Sequence, residues 1–181
     1  MEIPIDFGSS SIALVIVKKE EYRSSLPQMI SSLSSSSSKT AYVCINSPYN
    51  FVSGMVKKLG LEKEKFFFID TVTRNVQEPP KADDCIFVSS PNALTEISLA
   101  ISKALNEKKC DALFFDTLSA LLIYENAHSI IQFTHSILTK LQISSGKAVF
   151  IALKEDLNSE LVKDLYMFVD KVIDLTEQKA A

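Results

Sequence analysis

Apolar residues in this chain gather in short unbroken runs, separated by longer stretches in which they recur at helical spacing. Residues 11–17 (SIALVIV) form a continuous run rich in β-branched side chains, which predicts a strand buried on both faces, as in the middle of a parallel sheet. Further runs predict strands over residues 40–46 (TAYVCIN), 65–70 (KFFFID), 85–89 (CIFVS), 111–116 (DALFFD), 147–153 (KAVFIAL) and 171–175. Between them, helices are predicted from about Pro27 to the serine run, from Ser47-Pro48 to Gly60, from Ser90-Pro91 past Leu105, over residues 125–144 and over residues 157–167. Phe51, Met55, Val56 and Leu59 share one helical face, and Leu94, Ile97, Ile101 and Leu105 share another. The inward face of the longest helix is Ile130, Ile131, Thr134, Ile137, Leu138 and Leu141. Strands alternating with helices along the whole length predict an α/β fold. It is doubly wound, with a mostly parallel central sheet and helices on both faces.

Length fits one domain over residues 1–181, with residues 34–39 as a flexible serine-rich loop and residues 176–181 as a disordered tail. Twenty-two acidic residues against 19 basic give a net charge of −3, no footprint for a nucleic-acid backbone. Cys44, Cys85 and Cys110 are widely spaced, lack a CxxC pair and sit in apolar surroundings, so they read as reduced buried thiols. The start of the chain has no basic segment before an apolar core, and no apolar run approaches the roughly 20 residues of a membrane span. These features predict a cytoplasmic protein that binds neither nucleic acid nor membrane.

In such sheets ligands bind beyond the carboxyl ends of the strands, where the candidate residues are Ser24, Ser25, Asn46, Asp70, Asp116, Thr117 and Ser119. The segment Asp111-Ala112-Leu113-Phe114-Phe115-Asp116-Thr117-Leu118-Ser119 is similar to the Walker B segment of RecA/KaiC-like ATPases, an apolar strand ending in Asp-Ser/Thr-Leu-Ser. A helix before it, a long helix after it and the strand GKAVFIAL, in the place of that family's sensing strand, extend the resemblance over residues 11–175. It implies a RecA-like architecture of the P-loop NTPase class.

The resemblance fails at the phosphate-binding loop. The Walker A pattern G-x-x-x-x-G-K-[ST] falls on residues 18–25, where only Ser25 matches. Lys18 and Arg23 stand at the glycine positions, Ser24 replaces the lysine, and Glu20 and Glu21 place two negative charges beside any triphosphate. After the second strand, Asn46-Ser47-Pro48 stands where the family carries a water-activating glutamate, and neither an amide nor a hydroxyl is a general base at neutral pH. The resemblance therefore implies a degenerate member without ordinary ATP hydrolysis, with no catalytic residues, metal or cofactor assigned.

Asp116 has two readings: a retained metal or ligand contact, or a carboxylate that caps the segment from Thr117 to Ser119. Glu20, Glu21, Asp70 and Asp116, with Lys154, also resemble the acidic pocket and lysine of phospho-receiver domains, although that family carries aspartates where glutamates stand here. His128 and His135 are seven residues apart and too distant to share a metal, so both read as ordinary surface or partly buried histidines. Lys57, Lys58, Lys63 and Lys65 are interleaved with Glu62 and Glu64, a solvated face. Phe66, Phe67 and Phe68 read as core, while residues 120–124 (ALLIY) either pack beneath the long helix or form an apolar patch for a partner. The leading functional expectation is a non-hydrolysing regulatory or signalling module that docks a protein partner or a second copy of itself. The alternative is a ligand- or nucleotide-binding protein using the same crevice without a Walker A loop; a phospho-receiver-like domain comes third.

Overall fold

The computed structural model describes residues 12–177. The strand start placed at Ser11, the segment before it and residues 178–181 of the expected tail lie outside the described residues.

Seven strands form one parallel sheet: β1 (Ile12–Val17), β2 (Thr40–Cys44), β3 (Phe66–Asp70), β4 (Cys85–Phe87), β5 (Ala112–Asp116), β6 (Lys147–Leu153) and β7 (Lys171–Asp174), in the order β4-β3-β2-β5-β6-β1-β7. Helices α1 (Tyr22–Ser35) and α2 (Tyr49–Lys58) cover one face. Helix α3 (Leu94–Asn106), the single turn α4 (Leu118–Leu121), α5 (Ala127–Ser144) and α6 (Glu160–Leu165) cover the other. The unbroken apolar run of β1 follows from this sandwich. Ile12, Leu14 and Ile16 join the core under α3 to α6, whereas Ala13, Val15 and Val17 join the core under α1 and α2, so both parities must be apolar. Phe66 and Phe68 likewise face α2 while Phe67 faces α3.

Strand β6 lies between β1 and β5, with Leu14 opposite Phe150 and Phe150 opposite Phe115. The ends of β1 and β5 are therefore two strand spacings apart, about 10 Å, which leaves room for a helix terminus between them.

Several boundaries differ from the sequence expectation. Helix α1 starts at Tyr22, not near Pro27, after a 3-10 turn at Lys19–Glu21. Pro27 is thus inside the helix and has no amide to donate to the carbonyl of Arg23, an exposed residue. The serine run continues α1 to Ser35. Ser36 and Ser37 hydroxyls then donate to the Leu33 carbonyl at 3.0 and 2.9 Å, and the Ser38 and Lys39 amides donate to the Asp111 carboxylate, so the segment is bonded throughout rather than free. Helix α2 buries Tyr49, Val52 and Val56, leaving Phe51 52% exposed. The apolar stripe expected through Phe51 is turned about one residue, because Tyr49 packs edge-on against Phe68 and Phe87. Helix α3 begins at Leu94 rather than Ser90, since Ser89 bonds the Glu96 carboxylate through both its amide and hydroxyl. Helix α5 begins at Ala127 behind the Asn126 cap, and α6 is only Glu160–Leu165, capped by Ser159. Of residues 120–124, Ala120 and Leu121 are buried as expected for packing beneath a helix, whereas Ile123 is 79% exposed and Tyr124 is also exposed.

Candidate functional site

At the carboxyl edge of the sheet, Asp116, Cys44 and Asp70 end the adjacent strands β5, β2 and β3, with Cys44 in register with both acids. Cys44 is buried between them, and burial followed by the charge of Asp70 pushes its thiol well up. Such a thiol is neither a nucleophile nor a ready metal ligand.

Asp116 is fully buried, and two tyrosines claim its carboxylate. Tyr22, the first residue of α1, donates its hydroxyl to Oδ1, and Tyr42 donates to Oδ2 at 2.6 Å. Tyr42 reaches the acid because β2 and β5 are in register, its ring stacking on Phe114 at 4.9 Å between centroids. Tyr22 reaches it because α1 starts early: the 3-10 turn after β1 is too short to wrap anything, and the helix enters directly over β5. Desolvation pushes the Asp116 carboxyl up to about 6, against the two hydroxyl donors, which pull it down. Burial and then the Asp116 charge raise both tyrosines, so they stay neutral donors.

The other candidates are placed as follows. Asn46 is exposed, donating through Nδ2 to Thr117 Oγ1 at 3.5 Å. Thr117 Oγ1 also accepts the Ala120 amide at 3.2 Å, so it is Thr117, not Asp116, that caps α4. Ser119 is buried and its hydroxyl accepts the Leu153 amide at 3.0 Å, tying α4 to the end of β6. Ser24 points outward, donating to the Glu21 carbonyl at 2.9 Å, and Ser25 is a half-buried residue of α1. The structure thus brings Asn46, Asp116 and Thr117 together and leaves Ser24 apart.

Asp70 forms a separate, saturated site. Oδ2 accepts the Tyr49 amide at 2.6 Å and the Thr73 hydroxyl at 2.5 Å, and Oδ1 accepts the Val72 and Thr73 amides at 2.7 and 2.8 Å. It holds the N-terminus of α2 and the turn after β3. Asp70 and Asp116 do not converge with Glu20, which is exposed, and Lys154 is exposed beyond β6, so the acidic pocket of a receiver domain is not assembled.

A nucleotide-bound Mg²⁺ is a poor fit here. Both Asp116 oxygens already accept hydroxyl protons, and no glycine-lined cradle precedes α1. Among the described residues no group of three or more His, Cys, Asp or Glu is placed to hold a metal ion. His135 instead bonds Asp164 at 2.6 Å and meets Phe168 edge-on at 4.4 Å, a clasp between α5 and α6. Lys63 leaves the expected solvated face to bond Tyr49 at 2.9 Å and Asp84 at 3.0 Å.

The two residues that sequence reasoning missed are Tyr22 and Tyr42. A signal existed for Tyr42: a phenol inside an otherwise apolar buried strand needs an acceptor nearby. For Tyr22 the signal was hidden inside the segment compared with the Walker A loop.

Among the described residues no helix is long and apolar enough to cross a membrane. The fold is similar to that of a KaiC-like protein from the hyperthermophilic archaeon Pyrococcus horikoshii OT3. The TM-score is 0.67 at 12% identity over 98% of this chain and 81% of that one, a likeness of RecA/KaiC-like fold. No curated protein matches the sequence. Residues 58–175 match the family described as "Family of unknown function (DUF7504)", and this chain, a RecA/KaiC-like α/β fold, belongs to that family.

Proposed function

We propose that the chain is a non-hydrolysing RecA/KaiC-like domain that works as a protein-binding, regulatory or signalling module in the cytoplasm. The observation that carries this reading is the Tyr22 hydroxyl on the Asp116 carboxylate. In a hydrolysing relative the acid at this strand end holds the metal of the nucleotide; here each of its oxygens accepts a phenol hydroxyl. The first turn of α1 stands where a phosphate tail would have to lie. A hydrated cation at Asp116 would have to displace both phenol hydroxyls, one of them on the first residue of a helix anchored to the sheet by Leu26, Met29, Ile30 and Leu33.

With the catalytic centre filled, the value of the fold is its surface. Ile123 and Tyr124, exposed beside the same sheet edge, support a docking role for a protein partner. The seven candidate edge residues are on this reading structural: Asp70, Asp116, Thr117 and Ser119 join elements, Asn46 lies over Thr117, and Ser24 and Ser25 belong to α1.

Titration calorimetry with ATP and Mg²⁺ tests the reading. No heat at millimolar nucleotide is expected. Micromolar binding would favour instead a nucleotide-binding protein that uses the crevice by another grip.

A further inference from the structure

We infer that the free edge of β4 pairs with the β4 edge of a second copy of this chain, joining two sheets into one across a two-fold axis. The inference deepens the module reading above by naming one partner, and it rests on features of β4 and α3 alone.

Among the described residues, strand β4 ends the sheet and is bonded on one side only. The Phe68 amide donates to the Asp84 carbonyl and the Val88 amide to the Asp70 carbonyl, both at 2.8 Å, so Asp84 and Val88 turn their main chains toward β3. Strand alternation then turns the main chains of Cys85 and Phe87 toward the open side. These two residues are complementary to themselves: in an antiparallel pair centred on Ile86, Cys85 of one copy meets Phe87 of the other, and each exchange supplies two N–H···O bonds.

The adjoining helix has the same symmetry. An open apolar groove of about 290 Å³ runs along this edge, lined by Ile86, Phe87, Val88, Glu96, Leu99, Ala100 and Lys103. Leu99 is 65% exposed beside it. Glu96 and Lys103 are seven residues apart, hence two turns along one face of α3, with Leu99 and Ala100 midway between them. A two-fold axis through that midpoint sets Glu96 of each copy against Lys103 of the other and Leu99 against Leu99. Ile86, the centre of the strand pairing, lines the same groove as Leu99 and Ala100, so the strand and helix contacts are adjacent and one axis is inferred to serve both. That agreement marks an isologous contact and distinguishes it from an edge that merely lacks a neighbour.

Sedimentation velocity of the full chain, from micromolar to hundreds of micromolar, is the test. The expected species is twice the chain mass, with a dissociation constant that rises with salt. Leu99→Asp should leave a monomer, Lys103→Glu should weaken association at least tenfold, and Glu96→Lys combined with Lys103→Glu should recover it. Because the swap also removes the Glu96 bonds to Ser89, amide exchange of the unaltered chain provides a second measurement: Cys85 and Phe87 should exchange more slowly as concentration rises. A monomer at every concentration, a dimer indifferent to Leu99→Asp and Lys103→Glu, or concentration-independent exchange at both amides would each overturn the inference. Nucleotide calorimetry reads none of these, so either proposal can fail without the other.

Discussion

The Tyr22 hydroxyl donates to the Asp116 carboxylate, so the first turn of α1 is fastened to the end of β5, 94 residues later in the chain. Strand β6 separates β1 from β5 in the sheet, and this contact spans the gap on the α1 face. It makes the end of β5 a joint between two parts of the fold.

The joint has a pH signature. Asp116 titrates at about 6 in the folded protein, above an unfolded value near 3.8, so between those values the native state binds more protons than the unfolded chain. Its contribution to stability is therefore full below about pH 4, falls as pH rises through 6 and is flat above that. A difference of about two between the folded and unfolded values corresponds to about 3 kcal/mol. Asp116→Asn cannot ionise, so the urea-denaturation gap between the native chain and this variant should narrow by roughly that amount (~3 kcal/mol) from pH 4 to pH 7. A gap that widened would mean that the tyrosine donors outweigh desolvation.

Removing the donors separates their roles. Tyr42 is fully buried, and Tyr42→Phe leaves Oδ2 of a buried carboxylate without its partner, at a cost of about 2–3 kcal/mol at pH 7. Tyr22 is less buried than Tyr42 and sits at a helix start, so Tyr22→Phe should cost less, about 1 kcal/mol. Both losses should shrink below pH 5, where Asp116 is protonated. Denaturation midpoints at pH 5 and pH 7 check the order and the pH effect together.

Asp70 should prove more costly to lose than any of these. Asp70→Ala leaves the amides of Tyr49, Val72 and Thr73 and the Thr73 hydroxyl without their acceptor, all at buried or half-buried positions. The expected loss is about 3–5 kcal/mol, measured by urea denaturation. Added Mg²⁺ should not change the melting temperature of the native chain, since no oxygen of Asp70 lacks a donor.

Strands were legible because burial on both faces writes an unmistakable apolar run: β6 was found at its observed limits, and β1, β3 and β5 within one residue among those described. Helix starts were harder. Pro27 carries a strong local preference for a first turn, yet the packing of Leu26, Met29, Ile30 and Leu33 draws the helix back to Tyr22. The face of α2 was misjudged because Tyr49 and Phe51 lie on opposite sides of the helix, and sequence periodicity cannot say which aromatic ring turns to the sheet. At the site, the strand-end acids were found but not their partners. A hydrogen bond between positions 22 and 116 depends on where α1 begins, and that boundary is set by tertiary packing rather than by local pattern.

The same geometry decides what a restored lysine would do. In the Walker A pattern the lysine works because glycines let the main chain curl around phosphate and aim the ammonium inward. Residue 24 is an exposed position on the third residue of α1, its side chain turned to the Glu21 carbonyl. A lysine there would extend into solvent beside Glu20 and Glu21, with Tyr22 still covering Asp116. Ser24→Lys should therefore fold normally, with a stability change within about 0.5 kcal/mol, and hydrolyse no ATP. A phosphate-release assay with Mg²⁺ in excess reads the outcome. Turnover above the buffer rate would require the first turn of α1 to unwind from β5, and the same variant would then show faster amide exchange around Tyr22 when nucleotide is added.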